Sequence, residues 1–354
     1  MSEPRHILLL ALASALLCGC RVTPPASPVR EDDWAAVENA LSIIRQCQMD
    51  DGMIRMKGAG APVWAVPYFG NLAAIALLAA DRARPNPHDV ARAGRWLAWY
   101  ARNQEPDGTI FDREGTVAAY ASNGKHDASD SYAATFLMAA ARHSQATGKP
   151  PPPEIAAAAA KALAAIRDVA QPDGLTFARP DYPVKYLMDN IEVYQGLTEG
   201  AHLFAAAGLR EEARTALAMA AQVAEGLGAF RSGQETCLAY AIDARGRKSG
   251  GLAAPYPHGL AQVFALSWTT PPQPRLWAEV RTAFAPDDKG IPPERWLIAA
   301  RRHAGPQEAD TLRKAVRDAA LRFSVTEVYV ERPAMAVIAL LYDHAPFPDV
   351  PLTR

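Results

Sequence analysis

The chain has 354 residues, 37 of them basic and 38 acidic, and a formal net charge of −1. With its lysines and arginines scattered, it offers no footprint for nucleic acid or for an anionic membrane face. Its four cysteines show no zinc-ligand spacing, and no phosphate-cradling loop, Gly-x-Ser-x-Gly turn or metal-ligand set occurs, so no cofactor and no metal are expected.

At the N-terminus, Arg5 and His6 precede an apolar run from Ile7 to Leu17 and then Cys18-Gly19-Cys20. The run is about half of the ~20 residues a membrane span needs, so it reads as the apolar region of a signal peptide. Leu17-Cys18-Gly19-Cys20 resembles a lipobox, which implies a signal peptide over 1–19 and lipidation at Cys20. Cleavage by an ordinary signal peptidase, leaving a soluble periplasmic protein, is the alternative. Residues 20–30, with Pro24, Pro25 and Pro28, form a flexible or extended tether. Arg21 after the cysteine matches sorting to the outer membrane, where the lipid would hold the protein facing the periplasm or the cell surface.

From 31 to 354 the apolar residues recur at helical spacing, which predicts one all-α domain. Half-exposed helices are expected near 33–48, 88–103, 153–169, 210–226, 274–285 and 307–322. Helices apolar nearly all round, and so buried, are expected near 68–83, 130–146, 189–207, 258–268, 292–304 and 327–343. Six outer and six inner helices strung as hairpins predict a closed (α/α)6 toroid, because closure gives every inner helix two inner neighbours and an outer cover. A turn ending in Asp-Gly follows each of the first three outer helices, at Asp51-Gly52, Asp107-Gly108 and Asp173-Gly174. Turn chemistry, not catalysis, explains these pairs. Cys47 and Cys237 could pair in an oxidising compartment, but two cysteines do not establish a bridge.

Polar and aromatic clusters mark the starts of the inner helices: Trp64 to Asn71, Asp127 to Tyr132, Met188 to Tyr194, Tyr256 to Gly259 and Tyr329 to Arg332. In a toroid these starts converge on one end of the axis and line one cavity. Aromatic faces that stack on sugar rings, beside carboxyl groups that bond hydroxyls, make a plausible sugar cleft. The segments PYFGNLAAIAL, DASDSYAATFL, KYLMDNIEVYQGL and YPHGLAQVF, with the turns, resemble bacterial proteins of the six-hairpin glycosidase-like superfamily from about Asp33 to about Asp343. The resemblance implies an (α/α)6 toroid with a site built from acids near inner-helix starts, and it leaves the substrate open.

Glycoside hydrolysis uses two carboxyl groups. Asp130 and Asp189 hold equivalent places in consecutive hairpins and form the first candidate pair, with Asp127, Glu192 and Glu331 in reserve. Each acid could instead cap its helix. Trp64, Tyr68, Asn71, Tyr132, Tyr194 and His258 are the expected substrate contacts, and Arg332 could pair with the adjacent Glu331. A glycoside hydrolase acting on a cell-envelope or extracellular polysaccharide is the expected activity. A polysaccharide lyase or unsaturated-uronide hydrolase is the alternative enzyme, with His258, Arg332 and Lys185 as its basic groups. A non-catalytic glycan-binding envelope lipoprotein is the alternative outside catalysis.

Overall fold

The computed structural model describes residues 29–58, 60, 62–231, 236–286 and 290–352. The signal segment, Cys20 and most of the tether lie outside them. The described helices are α1 (Glu31–Cys47), α2 (Pro67–Ala83), α3 (Pro87–Asn103), α4 (Ser129–Thr147), α5 (Pro153–Val169), α6 (Leu187–Ala206), α7 (Arg210–Gly226), α8 (Leu260–Trp268), α9 (Pro274–Ala283), α10 (Pro293–His303), α11 (Pro306–Leu321) and α12 (Glu331–Leu340). Six of them start on proline, whose fixed φ suits the first helical position and whose missing N–H costs nothing there.

Burial separates two layers. In α4 the side chains from Ser129 to Arg142 are buried without a break, whereas α11 buries only Leu312, Val316, Ala319 and Ala320. The even-numbered helices form the inner layer, and each packs on the next: α2 on α4, α4 on α6, α6 on α8, α8 on α10, α10 on α12, and α12 back on α2. The ring is therefore closed. Each inner helix is also covered by the outer helix that follows it across a short link, and the last, α12, is covered by the first outer helix, α1.

The Asp-Gly turns show how the outer layer is spaced. Gly52, Gly108 and Gly174 have φ of +103°, +88° and +83°, and an added Cβ would lie 2.5, 2.1 and 2.2 Å from the carbonyl oxygens of Arg95, Lys161 and Gln222 on α3, α5 and α7. Each turn thus rests on the backbone of the next outer helix, where only glycine fits. Gln48 Nε2 donates to Arg92 O (2.9 Å) and Gln104 Nε2 to Ala158 O (3.2 Å), fixing two of these contacts. Gln171 departs from the pattern and donates to Val169 O and Ala170 O on its own segment.

The long links run from outer to inner helices and carry short antiparallel strands: β1 (Val63–Ala65), β2 (Arg113–Gly115), β3 (Tyr120–Ser122), β4 (Val184–Tyr186), β5 (Ala241–Asp243) and β6 (Lys248–Ser249). They form two three-stranded sheets in the orders β1-β2-β3 and β4-β5-β6. We call the end of the axis they surround, where inner helices begin, the mouth. At the other end, the base, Arg142 of α4 forms a buried pair with Glu199 of α6 (2.7 Å) and donates to Ala345 O and Pro346 O, so that the C-terminal segment is clamped across the axis. That segment continues to β8 (Val350–Pro351), which pairs in parallel with β7 (Thr269–Thr270). Cys47 and Cys237 are both buried and do not pair with each other. No described helix is long and apolar enough to cross a membrane.

Candidate active site

The first turns of the inner helices meet at the mouth. Tyr68 of α2 donates from its hydroxyl to Glu192 Oε1 of α6 at 2.5 Å, joining helices separated around the ring by α4. On the facing side, Arg295 of α10 binds Glu331 of α12 at 2.6 Å, and Glu294 receives Arg332 in return. These crossed ion pairs rivet α10 to α12. Arg332 is thus paired with Glu294 of the neighbouring inner helix and not with the adjacent Glu331, contrary to expectation.

Three carboxyl groups from α4 and α6 share this end. Asp130 is fully buried, and its two oxygens accept from Ser131 N and Thr176 Oγ1, each at 2.7 Å. Burial pushes its pKa up to about 7, against the pull of those two hydrogen bonds, with Glu192 adding to the rise. Glu192 is buried as well; burial, with the charge of Asp189, raises it to about 8, while the Tyr68 hydrogen bond and Arg295 act the other way. Asp189 is half-buried, and among the described residues no donor bonds its carboxyl. Burial, then Asp130, then Asp127 hold Asp189 well above the usual carboxylate range. A carboxyl group so placed holds its proton to higher pH than an ordinary aspartate, and no donor among the described residues competes for its oxygens.

Asp127, at the end of the link into α4, is exposed and lies near enough to raise Asp189. Tyr256, 70% exposed, is also raised, first by burial of part of its ring and then by Asp127 and Asp189, so its hydroxyl belongs to the same group. Tyr186, which precedes α6, answers to the same two acids and stacks loosely on Tyr182, with centroids 6.5 Å apart. Across the mouth, the exposed rings of Trp64 and Tyr329 meet edge to face at 5.6 Å.

The expected residues therefore divide. Asp127, Asp189 and Glu192 come together with Asp130 behind them, whereas Glu331 is committed to Arg295. Asn71 is fully buried, accepts from Trp96 Nε1 (2.9 Å) and donates to Tyr132 O and Thr135 Oγ1, so it joins α2 to α3 and α4 and has no surface for a sugar. Tyr132 is also buried, its hydroxyl donating to Asp112 Oδ1 at 3.1 Å. Burial raises Asp112 to about 6. Tyr194, five residues past Asp189 and two past Glu192, is half-buried, with burial first and Asp349 of the C-terminal segment last among the causes that raise its hydroxyl. Tyr68 keeps its place in the site, but its hydroxyl is engaged by Glu192. His258 stays at the mouth, with Nδ1 3.0 Å from Gly250 O and its ring edge on Tyr240.

Tyr256 and Tyr329 stood in the clusters at inner-helix starts but not among the expected contacts, and four further residues of the mouth stood in neither: Tyr182, Tyr186, Thr176 and Arg295. Only Arg295 left a readable sign, a charged side chain in the first turn of a helix whose later residues, Trp296 to Ala300, are all apolar. A cavity of about 500 Å³ opens away from the acids, lined by the last turns of α2, α4 and α6 and by Phe347.

No protein-family model and no curated protein matches the chain. Solved structures do. A rhamnosidase from Klebsiella oxytoca with rhamnose bound is 13% identical, with a TM-score of 0.58 over 90% of this chain. The match spans 64% of that enzyme, less than two thirds of its length. An uncharacterised conserved protein from Thermus thermophilus is 12% identical, with a TM-score of 0.59 over 87% of this chain and 99% of the other. A metal-independent α-mannosidase from Streptococcus pneumoniae, in a non-productive complex with α-1,6-mannobiose, is 13% identical, with a TM-score of 0.57 over 89% and 94%. At these identities the likeness is one of fold: the chain has an all-α, six-hairpin toroid.

Proposed function

We propose that this protein is a glycoside hydrolase acting on a cell-envelope or extracellular polysaccharide or oligosaccharide, with Asp189 as the proton donor and Asp127 as the solvent-facing carboxyl that works with it. The observation that carries this reading is Asp189 itself: a half-buried carboxyl group at an open mouth, raised by burial and by two neighbouring acids, without a hydrogen-bond donor among the described residues, and close to an exposed tyrosine. A leaving sugar oxygen needs such a proton. Asp130, expected in the first pair, is reassigned: both its oxygens are engaged inside the protein, and its contribution is to raise Asp189.

The charges at the mouth favour hydrolysis of a neutral or amino sugar over a lyase or uronide-hydrolase reading. A uronic carboxylate calls for uncommitted basic groups, but Lys185 binds Asp173 at 2.5 Å, Arg332 faces Glu294, Arg179 binds Asp181 and Arg295 binds Glu331. The fold likeness to glycosidases agrees with the reading and does not by itself select a substrate.

The experiment is product release by residues 31–354 from neutral, amino and uronic-acid polysaccharides. New reducing ends are expected from the first two classes. Asp189→Asn should lower turnover by about 10²–10⁴-fold, the range for loss of a general acid, and Asp127→Asn should lower it as well, both without loss of melting temperature. Full activity in Asp189→Asn would remove its assigned role, and an unsaturated product would replace hydrolysis with elimination. Cys20 is proposed as the lipid attachment point at the outer membrane, which its replacement tests by membrane fractionation.

A further inference from the structure

Among the described residues the exposed aromatic side chains are Trp64 (37%), Tyr182 (44%), Tyr256 (70%) and Tyr329 (45%). All four lie on links that lead into inner helices, and so at the mouth: Trp64 before α2, Tyr182 before α6, Tyr256 before α8 and Tyr329 before α12. None is on an outer helix or at the base. Exposed rings confined to one face in this way mark a binding surface, because large aromatic side chains left in water gain nothing from folding.

Their places around the ring separate them into two platforms. The order of inner helices is α2, α4, α6, α8, α10, α12 and back to α2. Trp64 and Tyr329 stand at the α12/α2 junction, in edge-to-face contact at 5.6 Å, with Lys57 Nζ 4.7 Å from the centre of the Tyr329 ring. Tyr182, Tyr186 and Tyr256 stand at the α6/α8 junction, three helices away and so diametrically opposite. Tyr186 and Tyr256 of this second platform are raised in part by Asp127 and Asp189. The acids on α4 and α6 lie along the rim between the platforms, next to the second.

We infer that the mouth binds an extended glycan chain of several sugar units laid across it, with Trp64 and Tyr329 forming a remote sugar platform on the far side from the acids. The inference rests on the glycosidase reading of the same site and adds that the substrate is an oligomer or polymer held on both sides of the acids. A site for one terminal sugar would use rings around the reacting unit alone. Rings on opposite sides of the mouth serve a ligand long enough to touch both. Pyranose faces stack on such rings through their C–H groups, and the neutral-or-amino preference argued above concerns the units nearest the acids, since Lys57 stands beside the remote platform.

The test measures binding, so that it does not depend on turnover. The Asp189→Asn chain is titrated with size ladders of two to eight units, one of neutral hexose oligomers and one of glucosamine oligomers. Affinity is expected to climb with length. Adding Trp64→Ala or Tyr329→Ala should weaken the longest oligomers by about tenfold, the equivalent of one lost aromatic contact of about 1.4 kcal/mol. The shortest oligomers should bind unchanged, and Trp64→Phe should restore most of the loss if the ring face is what binds. An equal loss at every length would place Trp64 beside the reacting unit and overturn the remote platform. So would no loss at any length, or no binding in either ladder. Length-dependent binding that Trp64→Ala reduces, combined with a wild-type chain that releases no product, would keep the platform and remove the hydrolase reading.

Discussion

A fully buried aspartate and a half-buried one behave differently even when they occupy equivalent turns. Asp130 is held by Thr176, 46 residues further along the chain, and by Ser131 N, whereas Asp189 has no such partner among the described residues. The sequence shows both acids at inner-helix starts; it cannot show that a threonine on another link reaches one of them. The raised groups also make stability depend on pH. Burial lifts Asp130 to about 7 and Glu192 to about 8, whereas the unfolded chain titrates such groups near pH ~4. Between those limits the folded state holds protons that the unfolded state has released. Their stabilising contribution is therefore complete below about pH 4 and is lost as the pH rises through about 7 to 8. The melting temperature is expected to fall between about pH 5 and pH 9, and Glu192→Gln should flatten that fall. An equally steep fall in the variant would mean that the protons reside elsewhere.

At the scale of elements, helix positions were legible because burial writes a 3.6-residue period into the sequence and because proline marks six helix starts. The strands were not. Each has two or three residues, too few to display alternation, and they form only because the long links bring them side by side. Close approach between α4 and α6 was equally hidden. An added Cβ on Gly196 would lie 2.5 Å from Ala134 O and 2.7 Å from its Cα, so the helix backbones touch there. On Gly200 its nearest neighbours would be Leu137 side-chain atoms, from 3.3 Å. Gly196→Ala is expected to destabilise by about 1–3 kcal/mol in denaturant unfolding, as overpacking does. Gly200→Ala should cost less, because a leucine can yield and alanine is the better helix former by ~1 kcal/mol. Equal effects at the two positions would show that backbone contact is not what matters.

For the whole molecule, the chain enters at the base. Val29 and Arg30 line a cavity of about 310 Å³ with Leu340, Asp343 and His344, at the C-terminal end of α12. A tether from Cys20 would therefore attach at the end opposite the acids. The inner helices have up to 20 residues, so the mouth stands up to about 30 Å from the base where Val29 and Arg30 lie. Cys20→Ala is expected to shift the protein from the membrane fraction to the soluble one while leaving activity on a dissolved polysaccharide unchanged. A variant that stays with the membrane would refute lipid anchoring at that residue. The sequence by itself determined that this is a helical toroid with acids and aromatic rings at inner-helix starts, because periodicity, turn residues and helix-start residues are local properties. Only the tertiary structure decided that Asp189 is left with a raised carboxyl that no donor among the described residues bonds, while Asp130, Asn71 and Glu331 are consumed by packing, and that the rings form two opposed platforms. Those outcomes depend on partners brought together by closing the ring, and no local pattern in the chain records them.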